Sequence, residues 1–370
     1  MVAKGHYLAE PPNDHPKCHC FRMIDTDQYD YELPKHLIAQ SPLPNRVDAR
    51  LMVVDCATGA IEHRHVRDLP EILRPRDVVV LNNTKVVPAR LVGYRTATGG
   101  RWEGLFVESD ASGVWHVIGK TRGKLQPGET ITLIDRQGHD AIRIFVIGRI
   151  TEGGWLVSPD TSEETWEVLD RVGRVPLPPY IRGGQMVEED RSRYQTVYAE
   201  IPGSVAAPTA GLHFTQGLLR RLHDAGIAIC YVTLHVGLGT FAPIKASQIE
   251  EHRMHSEWGS ISEEIVQQLN QTRRNGGRIV AVGTTVTRLL ETAASDGELR
   301  AFSGRTDLFI RPPYQFRAVD VLMTNFHLPR TTLLVLVRTF GGDQLIKRAY
   351  EEAIREGYRF YSYGDAMLIL

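Results

Sequence analysis

Two hydrophobic patterns alternate from residue 173 to the end of the chain. Residues 215–225 and 262–274 place apolar residues three or four positions apart, whereas residues 227–236 form a nearly continuous apolar run. The first pattern is typical of an amphipathic helix and the second of a buried strand. Helices that alternate with buried strands predict an α/β domain in which the helices cover a sheet.

The same patterns predict the other elements of this domain. We expect a strand at 278–283, a helix at 285–295, a strand at 332–340, a helix at 344–357 and a final strand at 358–370. Nearer the start, we expect a short helix that ends at Ser41, a hairpin of residues 50–55 and 61–66, and a buried strand at 78–81. This last strand stops at the polar run Asn82-Asn83-Thr84.

Residues 87–172 have a different texture. Six short apolar runs are separated by Gly, Asp and Pro turns: RLVGY, RWEGLFVES, VWHVIGK, TITLID, AIRIFVIGRI and GWLVSPD. Strands at this spacing predict a small antiparallel barrel or sandwich. We therefore expect an α/β domain of residues 21–86 and 173–370, interrupted by a β domain of residues 87–172 and preceded by a flexible tail of residues 1–20.

Composition changes this picture little. The chain is 42% hydrophobic and 24% charged, as is usual for a globular protein. A net charge of −1 argues against a wholly basic nucleic-acid binder, although arginines cluster near residues 171–193 and 300–317. The sequence has no apolar run of about eighteen residues and its N-terminus lacks the apolar core of a secretory signal. We expect a cytoplasmic protein with reduced cysteines.

Residues 202–241 have the composition of a binding-site wall. Small residues and prolines dominate its two ends, and each end carries one histidine, His213 or His235. A backbone without bulky side chains can approach a ligand closely, and proline stiffens the loop before the ligand binds. The same composition also occurs where a loop packs tightly against a sheet with its histidines in the core. The residues alone leave both interpretations open.

Two further stretches place polar groups where α/β proteins bind ligands. A strand, a turn at Gly283 and a predicted helix make Thr284 a natural N-cap, and free amides at a helix start attract anions. Farther along, an apolar run stops in Thr-Asn-Phe-His, so Asn325 and His327 follow a strand end, where such sheets place binding loops. A capped turn with a stacked histidine explains this second stretch equally well. No dinucleotide-binding fingerprint is present.

Two pairs of residues could be parts of a metal site, and one of them, His252 and His255, raises the alternative of a metal-dependent hydrolase. His252 and His255 are three residues apart, so on a helix they would share one face and could bind zinc together. Cys18 and Cys20 form a lone C-x-C near the N-terminus, whereas a zinc site usually needs four ligands. We expect no metal at either pair.

Long motifs make the chain resemble one enzyme family. PGSVAAPTAGLHFT, TLHVGLGTF, HRMHSEW, AVGTT, DVLMTNFHLPRTTLL and YRFYSYGDAM occur in the same order in the S-adenosylmethionine:tRNA ribosyltransferase-isomerases of queuosine biosynthesis. NNTKVVPARL is similar to that family as well, and so is PLPPYIR followed by RYQTVYA. The resemblance covers residues 22–370.

The resemblance implies a cytoplasmic enzyme with an α/β domain and an inserted antiparallel β-barrel. Such an enzyme moves the ribosyl part of S-adenosylmethionine, its co-substrate, onto the 7-aminomethyl group of 7-deazaguanine in a tRNA anticodon. It also isomerises the sugar, which gives epoxyqueuosine-tRNA and releases adenine and methionine. The resemblance implies tRNA as the partner, no metal and no membrane. We expect a monomer, and the sequence leaves an oligomer open.

The resemblance also suggests roles for single residues. His213, His235 and His327 are the catalytic candidates, because the reaction moves several protons and histidine titrates near neutral pH. The candidates for binding the substrate are Phe214, Gly237, Gly239, Thr240, Phe241, Thr284, Thr285 and Asn325. The rings of Phe214 and Phe241 would face the sulfonium. The helix start at Thr284 and Thr285 would face the methionine carboxylate. The candidates for contacting tRNA, whose anticodon base must be splayed out, are Arg90, Tyr180, Arg182 and Arg193.

The chain departs from the family pattern in three places. Ala242 follows G-T-F, where the family commonly has arginine, so an anion contact at that point has to come from another residue. Thr331 in place of serine, and Val286-Thr287 in place of Ser-Val, are milder changes. A non-catalytic RNA-binding protein is the remaining alternative, and it predicts tRNA binding without turnover.

Overall fold

The computed structural model describes residues 23–150, 153–237 and 243–370. The predicted tail with Cys18 and Cys20 lies outside these residues, as do three of the predicted ligands, Gly239, Thr240 and Phe241, and the neighbouring Ala242. The described chain forms a nine-stranded mixed sheet, a closed six-stranded barrel and a separate pair of strands. This architecture confirms the predicted fold class, an α/β sheet domain with an inserted antiparallel barrel.

The strands of the described residues are β1 (Arg50–Val54), β2 (Ile61–His65), β3 (Val78–Asn82), β4 (Thr84–Val86), β5 (Arg90–Arg95), β6 (Arg101–Ser109), β7 (Trp115–Thr121), β8 (Thr130–Ile134), β9 (Asp140–Arg149), β10 (Trp155–Pro159), β11 (Ile201–Ser204), β12 (Ala228–Leu234), β13 (Glu257–Ile261), β14 (Ile279–Val282), β15 (Phe302–Thr306), β16 (Val321–Asn325) and β17 (Ala366–Ile369).

The α-helices of the described residues are α1 (Leu69–Ile72), α2 (Thr165–Val172), α3 (Asp190–Arg193), α4 (Gln216–Asp224), α5 (Glu263–Arg274), α6 (Thr284–Ala293), α7 (Thr332–Gly341) and α8 (Asp343–Arg355). None of the helices in this described part of the chain has both the length and the apolar character needed to cross a bilayer.

Four neighbouring strands at the centre of the large sheet run parallel. The strand order is β15-β13-β12-β3-β14-β16-β17-β1-β2, and β12, β3, β14 and β16 point the same way. β3 and β14 are buried at every residue, which explains their continuous apolar sequence. The carboxyl ends of the four strands therefore lie at one edge of the sheet, the edge at which α/β sheets bind ligands.

Helices cover both faces of this sheet. α4 buries Leu218, Leu219 and Leu222 in the core on one face, whereas α5 and α6 pack on the other face. Thr215 and Ser262 begin α4 and α5, because each side chain accepts a hydrogen bond from the backbone of the first turn. The amphipathic pattern of these helices thus predicts which side of each one meets the sheet.

The six apolar runs of residues 87–172 form the six strands of the barrel, in the order β10-β7-β6-β5-β8-β9. Trp102, Phe106 and Trp115 fill its interior. Gly104 makes room for the Trp102 ring, since a Cβ at this position would lie 2.2 Å from it. The exact domain boundaries, at residues 87 and 172, stay a prediction.

Residues 332–340, predicted to be a strand, belong to α7, so this prediction is wrong. Every residue from Thr332 to Arg338 is buried. A helix that is buried all round has no polar face, and its sequence then shows the same apolar run as a buried strand. The side chain of Thr331 begins the helix by accepting from the backbone of Leu334 at 3.3 Å.

Two predicted elements are shorter than expected. The final strand begins at Ala366, because the chain turns before it, with Gly364 N–H donating to the carbonyl of Tyr361 at 2.9 Å. The short helix before Ser41 is instead two 3-10 turns, Thr26–Tyr29 and Lys35–Leu37.

Candidate active site

Polar side chains gather at the carboxyl edge of the four parallel strands. Asn82 ends β3, His235 follows β12, Thr284 follows β14 and Asn325 ends β16. Asn82 joins two of these strands, because its amide nitrogen donates to the carbonyl of Leu234 at 2.9 Å and its Oδ1 accepts from Leu234 N–H at 3.1 Å. Side chains from four separate parts of the sequence thus share one edge.

His213 is held by the side chain of Asn325. The amide nitrogen of Asn325 lies 3.2 Å from Nε2 of His213, and it also lies 3.2 and 3.3 Å from the backbone carbonyls of Tyr361 and Asp365. The hydroxyl of Thr209 donates to Oδ1 of Asn325 at 3.0 Å. Because the Asn325 nitrogen is a donor in every one of these contacts, Nε2 of His213 accepts and the ring proton lies on Nδ1.

Burial keeps His213 neutral. Loss of hydration, together with the positive charges of Arg46 and Arg359, lowers the pKa of His213 from 6.5 to about 4. Arg46 also fixes the 3-10 turn that carries the histidine, since its guanidinium donates to the carbonyl of Leu212 at 3.2 Å. At neutral pH the ring is therefore an uncharged hydrogen-bond donor at Nδ1.

His327 is a second buried and neutral imidazole. Its Nε2 lies 2.7 Å from the hydroxyl of Thr324. Its backbone is held on both sides, because its N–H donates to the hydroxyl of Tyr350 at 3.0 Å and its carbonyl accepts from the hydroxyl of Tyr31. Burial lowers the pKa of His327 from 6.5 to about 3. The ring borders the same small cavity as Asn325.

The N-terminus of α6 opens into that cavity. Gly283 is the N-cap, with a φ of 95°, and Thr284 is the first helical residue, so the prediction that Thr284 caps the helix is wrong. The chain turns sharply from β14 into α6 with a positive φ, which favours glycine over threonine at the cap. Thr284 and Thr285 line the cavity with Asn325 and His327. The cavity has a volume of about 20 Å³.

His235 lines a different and much larger cavity. Its Nδ1 lies 2.8 Å from the hydroxyl of Thr84, and its ring stacks on the indole of Trp258 with 5.2 Å between centroids. Gly203 gives the ring its space, since a Cβ there would lie 2.7 Å from it. Burial lowers the pKa of His235 below its usual value. The cavity is a cleft of about 1040 Å³ between the barrel and the sheet.

The three histidines therefore do not face one cavity. His213 borders a small pocket that includes Arg46 and Arg193, whereas His327 borders the cavity at α6 and His235 borders the large cleft. Val236 lines both the cleft and the cavity at α6. The segment that carries His235 is thus the wall between these two spaces.

Gly237 is anchored by a buried ion pair that the sequence patterns did not single out. Its N–H donates to Oε1 of Glu257 at 2.8 Å, and Oε2 of Glu257 lies 2.5 Å from Nη1 of Arg288. Both charged side chains are buried. Among the described residues, the nearest neighbour of a Cβ at Gly237 would be Glu257, at 3.8 Å, which is ordinary van der Waals contact.

The sequence reasoning missed the hydroxyl partners of two histidines as well. Thr84 bonds His235, and Thr324 bonds His327. Each threonine stands inside one of the motifs that carry the family resemblance, NNTKVVPARL and DVLMTNFHLPRTTLL. Membership in these motifs was the available signal.

Phe214, predicted to face the substrate, is a core residue. Its ring has no exposed surface and packs edge to face against Tyr198, with 6.5 Å between centroids. It belongs to the core cluster under α4 and lines none of the cavities described above. Gly237, Thr284, Thr285 and Asn325 do line them.

The three arginines predicted to contact tRNA are engaged within the protein. Arg90 pairs with Glu103 at 3.1 Å, Arg182 pairs with the buried Asp190, and Arg193 donates to backbone carbonyls. Such contacts use part of each guanidinium, and they give every one of these side chains a structural role.

Tyr180, the fourth predicted tRNA contact, lies near Asn325 and His327. Its hydroxyl is 2.8 Å from that of Ser362, and its ring contacts Tyr361 with 4.8 Å between centroids. It borders a small cavity together with Asn325 and His327. The structure thus brings Tyr180 to the site.

His252 and His255 do not share a helical face, so the geometry assumed for this pair is wrong. The nearby 3-10 turn ends at Glu251, and residues 252–256 have no helical structure. The ring of His252 packs edge to face against Phe309 at 5.6 Å. Within the described ranges, no three His, Cys, Asp or Glu side chains are grouped so that they can hold a metal ion.

Comparisons with known proteins identify the family of this chain. Residues 26–369 match the family model described as "Queuosine biosynthesis protein". The chain belongs to this family. A curated relative from Halothermothrix orenii, named S-adenosylmethionine:tRNA ribosyltransferase-isomerase, is 46% identical over 349 residues, which are 94% of this chain and 100% of the relative.

A comparison with solved structures agrees. The crystal structure of S-adenosylmethionine tRNA ribosyltransferase from Thermotoga maritima is 36% identical to the chain, with a TM-score of 0.53. The match covers 93% of this chain and 100% of that one. The predicted family is therefore confirmed, and with it the prediction that the protein is an enzyme.

Proposed function

We propose that this queuosine biosynthesis protein transfers the ribosyl moiety of S-adenosylmethionine to the 7-aminomethyl group of 7-deazaguanine in a tRNA anticodon and isomerises it. The products would be epoxyqueuosine-tRNA, adenine and methionine. The observation that carries the proposal is the 46% identity, over 94% of the chain, to a relative named for this activity. As an enzyme of tRNA modification it would act in the cytoplasm, as a monomer and without a metal.

The hydrogen bonds suggest different roles for the three histidines. His213 has Nε2 occupied by Asn325 and presents Nδ1–H, so it is suited to donate a hydrogen bond. A neutral imidazole that donates can stabilise negative charge, such as the charge that develops on adenine as it leaves. We assign His213 to this step.

The hydrogen bonds of His327 and His235 allow one ring nitrogen of each to take up a proton. In each ring one nitrogen contacts a threonine hydroxyl, at 2.7 Å for His327 and 2.8 Å for His235. With the hydroxyl as acceptor, the second ring nitrogen carries a lone pair, and both rings are neutral because burial lowers their pKa. We assign His327 as the base that removes the proton beside the sulfonium. We assign His235, in the large cleft, as the base that takes a proton from the aminomethyl group.

The two cavities fit different parts of the substrates. The cavity of about 20 Å³ at the start of α6 has room for a small group, and free N–H groups at a helix start favour a carboxylate there. The cleft of about 1040 Å³ has room for a nucleotide. We therefore place the methionine carboxylate at Thr284 and Thr285 and the tRNA base in the cleft. Gly239, Thr240 and Phe241, which come shortly after Gly237 in the sequence, stay predicted ligands.

Incubation of the purified protein with S-adenosylmethionine and tRNA that carries 7-aminomethyl-7-deazaguanine tests the proposal. We expect adenine and methionine to be released and the mass of the tRNA to increase by the transferred group. Release of neither product, with an unchanged tRNA mass, would refute the function. Binding of tRNA by the wild type without any turnover would support the RNA-binding alternative.

A matched pair of variants separates catalysis from binding. His213→Gln should lower kcat by roughly 10²- to 10³-fold, the usual contribution of one hydrogen-bond donor to developing charge, and leave the Kd for tRNA nearly unchanged. His223→Gln changes an exposed histidine on α4 and should leave both constants unchanged. Equal losses of kcat and tRNA affinity in His213→Gln would count against a catalytic role.

A further inference from the structure

The large cleft contains an exposed tryptophan next to an unpaired arginine. Trp258, on β13, keeps 37% of its surface exposed, although one of its partners is the ring of His235. Arg305, on β15, is its direct neighbour across the antiparallel pair, so both side chains leave the same face of the sheet. Both line the cleft. Among the residues that the structure describes, Arg305 has no ion-pair partner.

This pairing has the two components of a site for single-stranded nucleic acid. An exposed aromatic face stacks on an unpaired base, and a neighbouring cation contacts the phosphate of the same or the next nucleotide. The volume of the cleft, about 1040 Å³, is large enough for one or two nucleotides. A base stacked on the free face of the indole would lie in the same cleft as His235, a histidine already assigned to the reaction.

The charges on the opposite wall of the cleft indicate on which side the phosphates of a bound nucleotide would lie. The barrel side carries four carboxylates, Glu108, Asp110, Glu163 and Glu164. A phosphate on that side would meet negative charge, whereas the sheet side offers Arg305, and its one carboxylate in the lining, Glu257, is paired with Arg288. The backbone of a bound RNA strand would therefore follow the Arg305 side. S-adenosylmethionine has no phosphate, so the cation favours RNA over the adenine of that co-substrate as the group that stacks here.

We propose that Trp258 and Arg305 form the platform on which an unpaired nucleotide of the tRNA anticodon loop is held, the base stacked on the indole and the phosphate on the guanidinium. The platform rests on the proposed function, because it takes tRNA as the substrate of this cleft. It also replaces Arg90, Arg182 and Arg193 as the main RNA contact, since these arginines are engaged within the protein.

Equilibrium binding of a fluorescein-labelled tRNA transcript, measured by anisotropy without S-adenosylmethionine, tests the platform. Trp258→Ala should weaken binding roughly 5- to 100-fold, the usual effect of losing one base–aromatic stack, and Trp258→Phe should recover most of the loss. Tyr231→Ala is the matched control, because Tyr231 is equally exposed, at 38%, on the neighbouring strand and outside the cleft. It should bind like the wild type.

Salt dependence tests the phosphate contact separately. Arg305→Ala should reduce the slope of log K against log [salt] by about one, whereas Arg300→Ala, which removes an exposed arginine outside the cleft, should not. Arg305 is exposed, so this test stands even if Trp258→Ala does not fold.

Three results would overturn the platform: wild-type affinity in a folded Trp258→Ala, equal losses in Trp258→Ala and Tyr231→Ala, or an unchanged salt slope in Arg305→Ala. A change only in the KM for S-adenosylmethionine would assign the stack to adenine and overturn the proposal as well. Failure of the proposed function has a different signature, namely no release of adenine by the wild type. The platform is therefore tested by tRNA binding and by the KM for S-adenosylmethionine, and the proposed function by product release.

Discussion

The amide nitrogen of Asn325 lies 3.2 Å from Nε2 of His213, and this contact decides which nitrogen of the ring carries the proton. The orientation of the amide is itself fixed, because Thr209 donates to its oxygen at 3.0 Å and two backbone carbonyls accept from its nitrogen. An uncharged donor therefore holds an uncharged acceptor in a buried site. A charge on either partner would disturb this arrangement.

We expect Asn325→Asp to reverse the polarity of this contact. A carboxylate accepts where the amide donated, so Nε2 of His213 would carry the proton and the pKa of His213 would rise by roughly 1 to 3 units. Because the donor at Nδ1 is then lost from the neutral ring, kcat should fall at least about 10-fold. NMR titration of the imidazole and a pH–rate profile measure the two effects.

Thr209→Val is the control for this substitution. It removes the hydrogen bond to Oδ1 of Asn325, but the amide nitrogen of Asn325 still donates to His213. The pKa of His213 should therefore stay low, and kcat should change less than in Asn325→Asp. An unchanged tautomer and pKa in Asn325→Asp would show that the amide does not set the state of the ring.

Two glycines beside the wall between the cavities should respond differently to alanine. Gly203 has a φ of +146° and a Cβ there would lie 2.7 Å from the His235 ring, so Gly203→Ala should displace the histidine and lower kcat. A Cβ at Gly237 meets nothing closer than 3.8 Å in the part of the chain that the structure describes. Gly237→Ala should therefore keep the wild-type Tm and, if substrate backs onto this glycine, raise a KM.

Steady-state kinetics and thermal denaturation of both variants distinguish these effects. Wild-type kcat in Gly203→Ala would show that the position of His235 in the cleft is unimportant. A fall in Tm for Gly237→Ala would show that its backbone is constrained by the protein rather than by substrate.

The secondary structure was predictable for many elements that have one polar side, although β13 and β15, which also alternate buried and exposed residues, were not predicted. The six barrel strands and helices α4, α5 and α8 each alternate apolar and polar residues with a clear period, and all of them were predicted. α7 was not, because it is buried on every side and its sequence carries no period. The N-cap of α6 was predicted one residue too late, at Thr284 instead of Gly283. Threonine is a common N-cap, and the positive φ of Gly283 cannot be read from the sequence.

The candidate site was predictable only in part, for a related reason. Asn325 and His327 follow a strand end, and position in the chain is enough to bring them to the sheet edge. Their partners depend on packing between distant segments. Thr84 is 151 residues from His235, so no local sequence pattern predicts the contact between them. Phe214 shows the opposite error, because a motif residue next to a candidate histidine serves the core.

The buried pair of Glu257 and Arg288 should stabilise both the fold and the Gly237 backbone. Glu257→Gln leaves the guanidinium of Arg288 buried without its counter-ion, and breaking such a pair typically costs about 3–5 kcal/mol of unfolding free energy. Urea denaturation measures this loss. The double variant Glu257→Gln/Arg288→Met removes both charges and should be destabilised by less than the sum of the single variants.

Additive losses in that cycle would show that the two side chains do not act as a pair. Glu62→Gln is a suitable control, because Glu62 pairs with Arg64 at the surface, where an ion pair contributes about 0–1 kcal/mol.

The buried neutral histidines should make the protein less stable in mild acid. The pKa values of His213 and His327 are about 4 and 3 in the folded protein and near 6.5 in the unfolded chain, so the unfolded chain takes up more protons as the pH falls below 6.5. The stability that these groups contribute is complete above pH 6.5 and is lost progressively toward pH 4 and below. At pH 5 each histidine should already cost about 2 kcal/mol relative to pH 7. Urea denaturation at pH 5 and pH 7 measures the loss.

His327→Gln is the control, because glutamine does not titrate. From pH 7 to pH 5 this variant should lose about 2 kcal/mol less unfolding free energy than the wild type. An equal loss in both proteins would mean that His327 is protonated in the folded state.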